Sequence, residues 1–209
     1  MLVKKLYIIR HGETEFNKLN IVQGSGVDTD LNETGRTQAG LFYQAYMQHP
    51  FNEVYTSALK RSQQSVAGFL EMGLPHIIMP ELNEISWGDF EGKQQTIEQR
   101  TIYWEMIHKW NAGELDAKIP NGESPIEMQA RQQKVKQAII DSTASEILVC
   151  MHGRAMKSFL CLLLDVSLTR MEDFPHTNLC LYQLEYENNT FKLVKSNDTL
   201  HLAAGRQEK

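Results

Sequence analysis

Short apolar runs alternate along this chain with segments whose apolar residues recur at helical spacing, and this alternation constrains the fold most strongly. The runs that we interpret as strands cover residues 3–9, 53–57, 76–79 and 146–151. The helix-like segments cover residues 34–47, 58–72, 94–112, 125–142 and 155–165. Strands that alternate with helices are typical of a parallel sheet covered by helices. We therefore predict a three-layer α/β/α fold with a mostly parallel central sheet.

Capping and turn residues add detail to this prediction. Asn32 or Thr34 can cap the first predicted helix, and Ser57 the second. Asn188-Asn189 lies between two β-like runs near the end of the sequence, which indicates a hairpin.

The length and the absence of repeats indicate one folded unit. The chain has 209 residues, enough for one substantial core, and shows no fixed-period repeat or low-complexity segment. We predict a single domain over residues 1–209. Residues 85–125 are a candidate cap sub-lobe over the active site.

Charge and cysteine content indicate the class of protein. The net charge of −5 argues against a nucleic-acid partner. Three sparse cysteines in apolar surroundings, Cys150, Cys161 and Cys180, are typical of reduced thiols in a cytosolic protein. The longest apolar run, residues 159–164, is too short to span a membrane, and the N-terminal run is too short for a signal peptide. We expect a cytoplasmic protein without a membrane partner.

Two of the predicted strands end on a histidine followed by a glycine. The first ends in Arg10-His11-Gly12 and the second leads into His152-Gly153. Ligands of parallel sheets bind beyond the carboxyl ends of the strands. We therefore expect His11 and His152 to meet over one pocket, although they lie 141 positions apart.

The residues around His11 suit an attack on phosphorus. The Arg10 guanidinium offers a fork of donors that matches a phosphate. Gly12 lets a backbone N–H approach an anion closely. Cationic neighbours disfavour imidazolium, so the ring stays neutral and nucleophilic near pH 7. These features favour a phosphohistidine intermediate.

Phosphoryl transfer also needs more cations and a proton for the leaving oxygen. Arg61 follows a predicted strand and can point at the same strand ends, although its spacing alone fits a solvated helix arginine better. Four acids occur in one stretch, and the residues alone do not choose among them: Glu81, Glu84, Asp89 and Glu91.

Other kinds of site fit the sequence less well. In a zinc site of His11, His152 and a glutamate, Arg10 would repel the metal, and no HExxH or paired CxxC spacing is present. A Cys150–His152 pair is more often coincidence, and "VQGSG" lacks the lysine of a P-loop. The remaining histidines are interpreted as surface or capping residues: His49, His76, His108, His176 and His201.

Seven blocks of the sequence resemble one known family. "RHGETEFN" is similar to the signature of the histidine phosphatase superfamily, the phosphoglycerate-mutase-like proteins. Six further blocks resemble that family in the same order: "LNETGRTQA", "VYTSALKRSQQSV", "LNEISWGDFEGK", "PNGES", "LVCMHG" and "SNDTLHL". The resemblance extends over nearly the whole chain and implies the phosphoglycerate-mutase-like version of the predicted fold.

The resemblance also implies a role for each site residue. His11 would be the nucleophile, and Glu84 the proton donor. The phosphoryl oxygens would be held by Arg10, Arg61 and His152. Secondary phosphate or substrate contacts would come from Asn17, Gln23, Gly24 and the Gly153 amide. Neither a metal nor another cofactor is implied.

The same resemblance favours a phosphatase over a mutase. His152 follows Glu84 by 68 positions, which resembles the shorter phosphatase branch, and so does "PNGES". Asp30 replaces a usual proline and "QGSGVD" has one additional residue, so the loop bordering the pocket departs from the common pattern. We expect a histidine-type phosphomonoesterase. A sugar phosphate, a phosphoglycerate and ribazole phosphate all remain open as its small phosphorylated metabolite.

Two alternatives remain. A cofactor-dependent phosphoglycerate mutase would need a bisphosphoglycerate to keep His11 phosphorylated. A catalytically silent phospho-ligand binding module is the alternative from another class, but such proteins usually lack the nucleophile or the acid, and both are present here. A homodimer is one oligomeric state that the sequence leaves open.

Overall fold

Six strands form one sheet in the computed structural model, which describes residues 3–206. The strands are β1 (Lys4–Arg10), β2 (Glu53–Thr56), β3 (His76–Ile78), β4 (Glu146–Met151), β5 (Leu181–Glu187) and β6 (Thr190–Asp198). Their order across the sheet is β3-β2-β4-β1-β5-β6. The first four strands pair in parallel, and β5 and β6 are antiparallel additions. The predicted α/β fold with a mostly parallel sheet is confirmed.

Helices cover both faces of this sheet. They are α1 (Glu15–Lys18), α2 (Glu33–Tyr46), α3 (Lys60–Ser65), α4 (Ala67–Glu71), α5 (Ile97–Ala112), α6 (Pro125–Asp141) and α7 (Gly153–Leu163). Alternate residues of the central strands enter two separate apolar clusters. Leu6 and Ile8 of β1 pack with residues of α5, α6 and α7, whereas Tyr7 and Ile9 pack with residues of α2 and α4. This alternation follows from the two-residue repeat of a strand and produces the three layers.

Several element boundaries differ from the sequence prediction. Asn32 caps α2, since its side chain accepts the Gly35 N–H. The predicted helix over residues 58–72 is interrupted at Val66 and starts at Lys60. Ser57 is therefore not its N-cap, and that prediction is wrong. The Ser57 hydroxyl accepts the Leu59 N–H before the helix starts.

The predicted hairpin is confirmed. Asn188 and Asn189, between β5 and β6, have φ angles of 50° and 60°. Two consecutive left-handed residues form the tight turn whose twist matches that of the flanking strands. Asparagine tolerates this conformation better than most residues do.

The segment over residues 85–125 contains α5 and two loops. Met106 and Trp110 of α5 are buried in the same apolar cluster as residues of α6 and α7. The assignment of this segment as a cap sub-lobe stays a prediction, and residues 1, 2 and 207–209 of the predicted domain lie outside the described part. No helix among the described residues is both long and apolar enough to cross a membrane.

Candidate active site

The two histidines of the His-Gly pairs lie side by side at the carboxyl edge of the sheet. β1 and β4 are parallel neighbours, with Arg10 opposite Met151, so the next residue of each chain segment leaves the sheet at the same height. The rings of His11 and His152 have centroids 5.0 Å apart. Both side chains are buried, at 3% and 0% exposure. Strand pairing therefore produces the meeting that the sequence indicates.

The His11 ring is held in one tautomer. Its Nδ1 lies 2.7 Å from the Gly12 carbonyl oxygen, and because a carbonyl only accepts, Nδ1 carries the proton. The lone pair of Nε2 is then available. Burial, Arg61 and Arg10 hold the pKa of His11 well below its ordinary value. The imidazole is therefore neutral near pH 7, as a nucleophile must be.

Gly12 has a different function from the one expected. Its N–H donates to the Ser65 hydroxyl at 2.9 Å and so is not directed at an anion. A Cβ at this position would lie 2.7 Å from the Gly35 carbonyl oxygen. Glycine is thus required because the end of β1 packs closely against the first turn of α2.

Arg10 has an unused donor in the site. Its Nη1 donates to His176 Nδ1 at 3.2 Å. Its Nε is buried and has no hydrogen-bond partner among the described residues. A buried donor without an acceptor is costly, so this N–H fits an anionic ligand.

Arg61 is fully buried, so the solvated-arginine interpretation is wrong. Its Nε donates to His152 Nδ1 at 3.2 Å, and its two terminal nitrogens donate to the carbonyls of Val27 and Gly24 at 2.6 and 3.2 Å. Burial lowers the pKa of Arg61 to about 10, so the group still carries its charge at neutral pH. The guanidinium is thus fixed in position before any ligand binds.

His152 uses both ring nitrogens within the protein. Its Nδ1 accepts from Arg61, and its Nε2 lies 2.7 Å from the Ser57 hydroxyl. Burial and Arg61 hold the pKa of His152 well below its ordinary value. In this arrangement the ring orients Arg61, and a direct bond from His152 to a phosphoryl oxygen stays a prediction.

Glu84 is joined to the start of α7. One carboxyl oxygen accepts the N–H groups of Ile85 and Ala155 at 2.9 and 2.7 Å, and the other accepts the Arg154 N–H at 3.0 Å. The side chain is only 7% exposed. Because α7 begins directly after His152, these bonds place the carboxyl group beside the histidine pair.

The other three candidate acids have different partners. Glu81 lies 3.4 Å from the ammonium of Lys134, and Asp89 accepts from the Asn121 amide. Glu91 accepts the N–H groups of Gly26 and Trp87 and so holds two loops together. Glu84 is the one of the four that lines the cavity described next.

A cavity of about 250 Å³ opens beside the histidine pair, and His11, Arg61 and His152 are not among its lining residues. Its walls include Arg10, Gln23, Glu84 and Gly153, together with residues that sequence reasoning had not selected: Asn20, Trp87, Gln95, Tyr103, Arg154 and His176. Its size is below the usual range for drug-sized ligands and suits a small metabolite.

Asn17 and Gln23 lie in the loop network beside the cavity. Asn17 Oδ1 accepts from the Thr14 N–H and from the Asn178 amide, both at 3.2 Å. Gln23 donates to the Thr14 hydroxyl at 2.6 Å and accepts from Thr29 at 2.5 Å. Gln23 reaches the cavity wall, whereas Asn17 is not among the cavity-lining residues.

The two predicted binding glycines fill tight positions. A Cβ on Gly24 would lie 1.9 Å from a carboxyl oxygen of Glu91, and the Gly24 carbonyl accepts from Arg61. A Cβ on Gly153 would lie 2.6 Å from the His176 ring. The Gly24 carbonyl thus helps to hold Arg61 in place. The absence of a side chain at Gly153 lets the His176 ring pack closely against the backbone at the cavity wall.

The interpretation of His176 as a surface or capping residue is wrong. His176 lies on the cavity wall against Gly153 and Arg10. Burial and then the charges of Arg10, Lys157 and Arg154 lower the pKa of His176 to about 3. No local pattern marks this histidine, because a loop far along the chain brings it to the site. The sequence does offer a reason to select Arg154 as a site residue, because it directly follows His152-Gly153.

The competing kinds of site have little structural support. Among residues 3–206, no group of three His, Cys, Asp or Glu side chains is arranged to hold a metal. The Cys150 thiol is buried in the apolar cluster on the α2 side of the sheet, and burial raises its pKa strongly. His152 is committed to Arg61 and Ser57 instead.

Comparison with known proteins agrees with the resemblance. Residues 6–199 match the family model of the histidine phosphatase superfamily (branch 1). A protein named "Putative phosphoserine phosphatase 2" from Hydrogenobacter thermophilus is 26% identical over 207 residues, covering 95% of this chain and 98% of that one. A "Probable phosphoglycerate mutase GpmB" from Yersinia pestis is 27% identical over 208 residues, covering 95% and 94%.

A solved structure is similar over the same extent. The structure titled a "putative alpha-ribazole-5'-P phosphatase" from Escherichia coli superposes with a TM-score of 0.82 at 25% identity, covering 93% of this chain and 96% of that one. The similarity therefore extends over nearly the whole chain.

Proposed function

Because the chain belongs to the histidine phosphatase superfamily, we propose that it hydrolyses a small phosphomonoester through a phosphohistidine at His11. The observation that carries the proposal is the state of the His11 ring. The ring is buried and neutral, and because its Nδ1 donates a hydrogen bond to the Gly12 carbonyl, its Nε2 carries no proton. The adjoining Arg10 has a buried Nε without a hydrogen-bond partner among the described residues.

In the first step, Nε2 of His11 attacks the phosphorus atom while the bond to the leaving oxygen breaks. Arg10 and Arg61 stabilise the charge on the equatorial oxygens. Glu84 gives its proton to the leaving oxygen, so the alcohol departs neutral. The position of Glu84 supports this role, because α7 holds its carboxyl group at the cavity wall.

In the second step, water attacks the phosphohistidine. Glu84, now a carboxylate, accepts a proton from that water, the phosphorus–nitrogen bond breaks, and inorganic phosphate leaves. His11 returns to its starting state. The guanidinium groups supply the positive charge throughout, so we propose that the reaction needs no metal.

The small cavity supports a small substrate. At about 250 Å³ it has room for a short leaving group in addition to the phosphate. Relatives named for phosphoserine and for alpha-ribazole-5'-P suggest different leaving groups. The cavity size favours a leaving group of the size of serine over one of the size of ribazole. We also propose a cytoplasmic location, since Cys150, Cys161 and Cys180 are all free and buried.

A panel assay tests the phosphatase function. Phosphate release is measured across phosphomonoesters with and without 2,3-bisphosphoglycerate, each in the presence and absence of EDTA. We expect release without bisphosphoglycerate and undiminished by EDTA. Interconversion of 2- and 3-phosphoglycerate that requires bisphosphoglycerate, without phosphate release, would establish the mutase instead.

A further inference from the structure

Beside the phosphate-binding residues, the cavity wall carries a second cationic group. Arg154, in the first turn of α7, lines the cavity and is 8% exposed. One terminal nitrogen donates to the Tyr103 hydroxyl at 3.0 Å, and the other pairs with the Glu172 carboxylate. None of the steps proposed for phosphoryl transfer uses the Arg154 side chain.

The charges around Arg154 do not balance. Lys157, one turn further along α7, also pairs with Glu172, with its ammonium 2.5 Å from the second carboxyl oxygen. Two cations therefore share one carboxylate, and no other ion pair of Arg154 or Lys157 occurs among the described residues. Burial and Arg10 are the main causes of the lowered pKa of the neighbouring His176, and Lys157 and Arg154 lower it further.

Glu172 is the more easily displaced member of this cluster. Its side chain is 38% exposed, whereas the side chains of Arg154 and Lys157 are each 8% exposed. The Glu172 carboxylate can turn towards water while the two cations stay in place. The planar guanidinium of Arg154 would then present its donors to another carboxylate, for which that geometry is suited.

We infer that Arg154 selects substrates whose leaving group carries a carboxylate, which binds Arg154 in exchange for Glu172. This inference rests on the proposed phosphatase function and concerns the same cavity. Its basis is the excess of positive charge on the wall, the exposed position of Glu172 and the limited volume. A phosphate dianion at Arg10 and Arg61 would leave that excess charge uncompensated, so a second negative group on the substrate is favoured.

Competition experiments with a matched pair of probes test the inference. 3-Phosphoglycerate and glycerol 3-phosphate have the same carbon skeleton, but only the first has a carboxylate. Each is measured as an inhibitor of p-nitrophenyl phosphate hydrolysis, so a binding constant is obtained whether or not the probe is itself hydrolysed. We expect the wild type to bind 3-phosphoglycerate more tightly than glycerol 3-phosphate.

Two variants should shift this preference in opposite directions. Arg154→Gln should weaken 3-phosphoglycerate binding by about 10- to 100-fold, the usual range for losing a charged hydrogen bond, and change glycerol 3-phosphate binding little. Glu172→Gln should strengthen 3-phosphoglycerate binding, because it removes the competing carboxylate. Arg170→Gln, in the same exposed segment and paired with Asp173, is the matched control and should leave the ratio unchanged.

If Arg154 had only a general structural role, Arg154→Gln would weaken the binding of both probes equally. Glu172→Gln would then not strengthen the binding of 3-phosphoglycerate selectively. Equal effects of the substitutions on the two probes, or a failure of 3-phosphoglycerate to compete, would overturn the inference. Hydrolysis of p-nitrophenyl phosphate through His11 would still proceed in that case. If that hydrolysis does not involve His11, the proposed function itself fails.

Discussion

The proton-donor role proposed for Glu84 predicts an effect that depends on the leaving group. An alkyl phosphate must leave as an alkoxide unless its oxygen is protonated, whereas p-nitrophenolate is stable by itself. Glu84→Gln should therefore slow the hydrolysis of an alkyl phosphate by about 10²–10⁴-fold and that of p-nitrophenyl phosphate distinctly less. Single-turnover phosphorylation of His11 is the suitable measurement, because slow hydrolysis of the phosphohistidine could mask the difference.

Asp89→Asn is the matched control for this comparison. Asp89 lies in the same stretch but is exposed and bonded to Asn121. Asp89→Asn should therefore change the rate of hydrolysis of both substrates little. Equal losses on the two substrates in Glu84→Gln would remove Glu84 from the acid role.

At the scale of elements, α6 holds the segment that carries Glu84. The Arg131 guanidinium donates to the main-chain carbonyls of Glu81, Asn83 and Glu84 at 2.5, 2.9 and 3.1 Å. It also makes two bonds to the Glu123 carboxylate, at 2.7 and 2.9 Å. One side chain therefore fixes the backbone on which the proposed acid stands.

Arg131→Met should consequently reproduce part of the Glu84 phenotype. We expect a larger loss on alkyl phosphates than on p-nitrophenyl phosphate, because the acid is no longer held in position. In a double mutant with Glu84→Gln, the two losses should not add, since both act on the same proton transfer. The measurement is the single-turnover rate of the wild type, the two single variants and the double variant. Losses that add in the double variant would show that Arg131 does not act through Glu84.

At the scale of the whole molecule, the buried neutral histidines make stability depend on pH. The pKa values of His11, His152 and His176 are all lowered in the folded protein, the last to about 3. Below the ordinary histidine pKa of about 6.5, the unfolded chain therefore binds more protons than the folded one. The contribution of these histidines to the free energy of unfolding is complete above about pH 6.5 and is lost as the pH falls.

Urea unfolding between pH 7 and pH 5 checks this prediction, since most carboxylates stay ionised in that window. Each histidine contributes a slope of up to about 1.4 kcal/mol per pH unit. His176→Asn should make the dependence shallower, whereas His108→Asn, at an exposed position, should not. An unchanged slope in His176→Asn would contradict the burial of a neutral ring there.

Much of the fold and part of the site could be predicted because their causes are local. Apolar runs and helical spacing indicate the strands and most helices, and the neighbouring parallel strands β1 and β4 bring His11 and His152 together. The position of His176 could not be predicted, because it depends on how a distant loop packs against Gly153. The burial of Arg61 likewise depends on the carbonyls of a loop more than thirty residues earlier.

If the phosphoryl group passes through His11 during hydrolysis, a phosphorylated intermediate can be trapped on that residue. Wild-type protein is mixed briefly with a ³²P-labelled phosphomonoester and quenched in alkali, in which phosphohistidine survives, and the labelled peptide is identified. We expect acid-labile label on His11, no label in His11→Asn, and normal labelling in His108→Asn. Label on another residue, or phosphate release by His11→Asn at the wild-type rate, would contradict it.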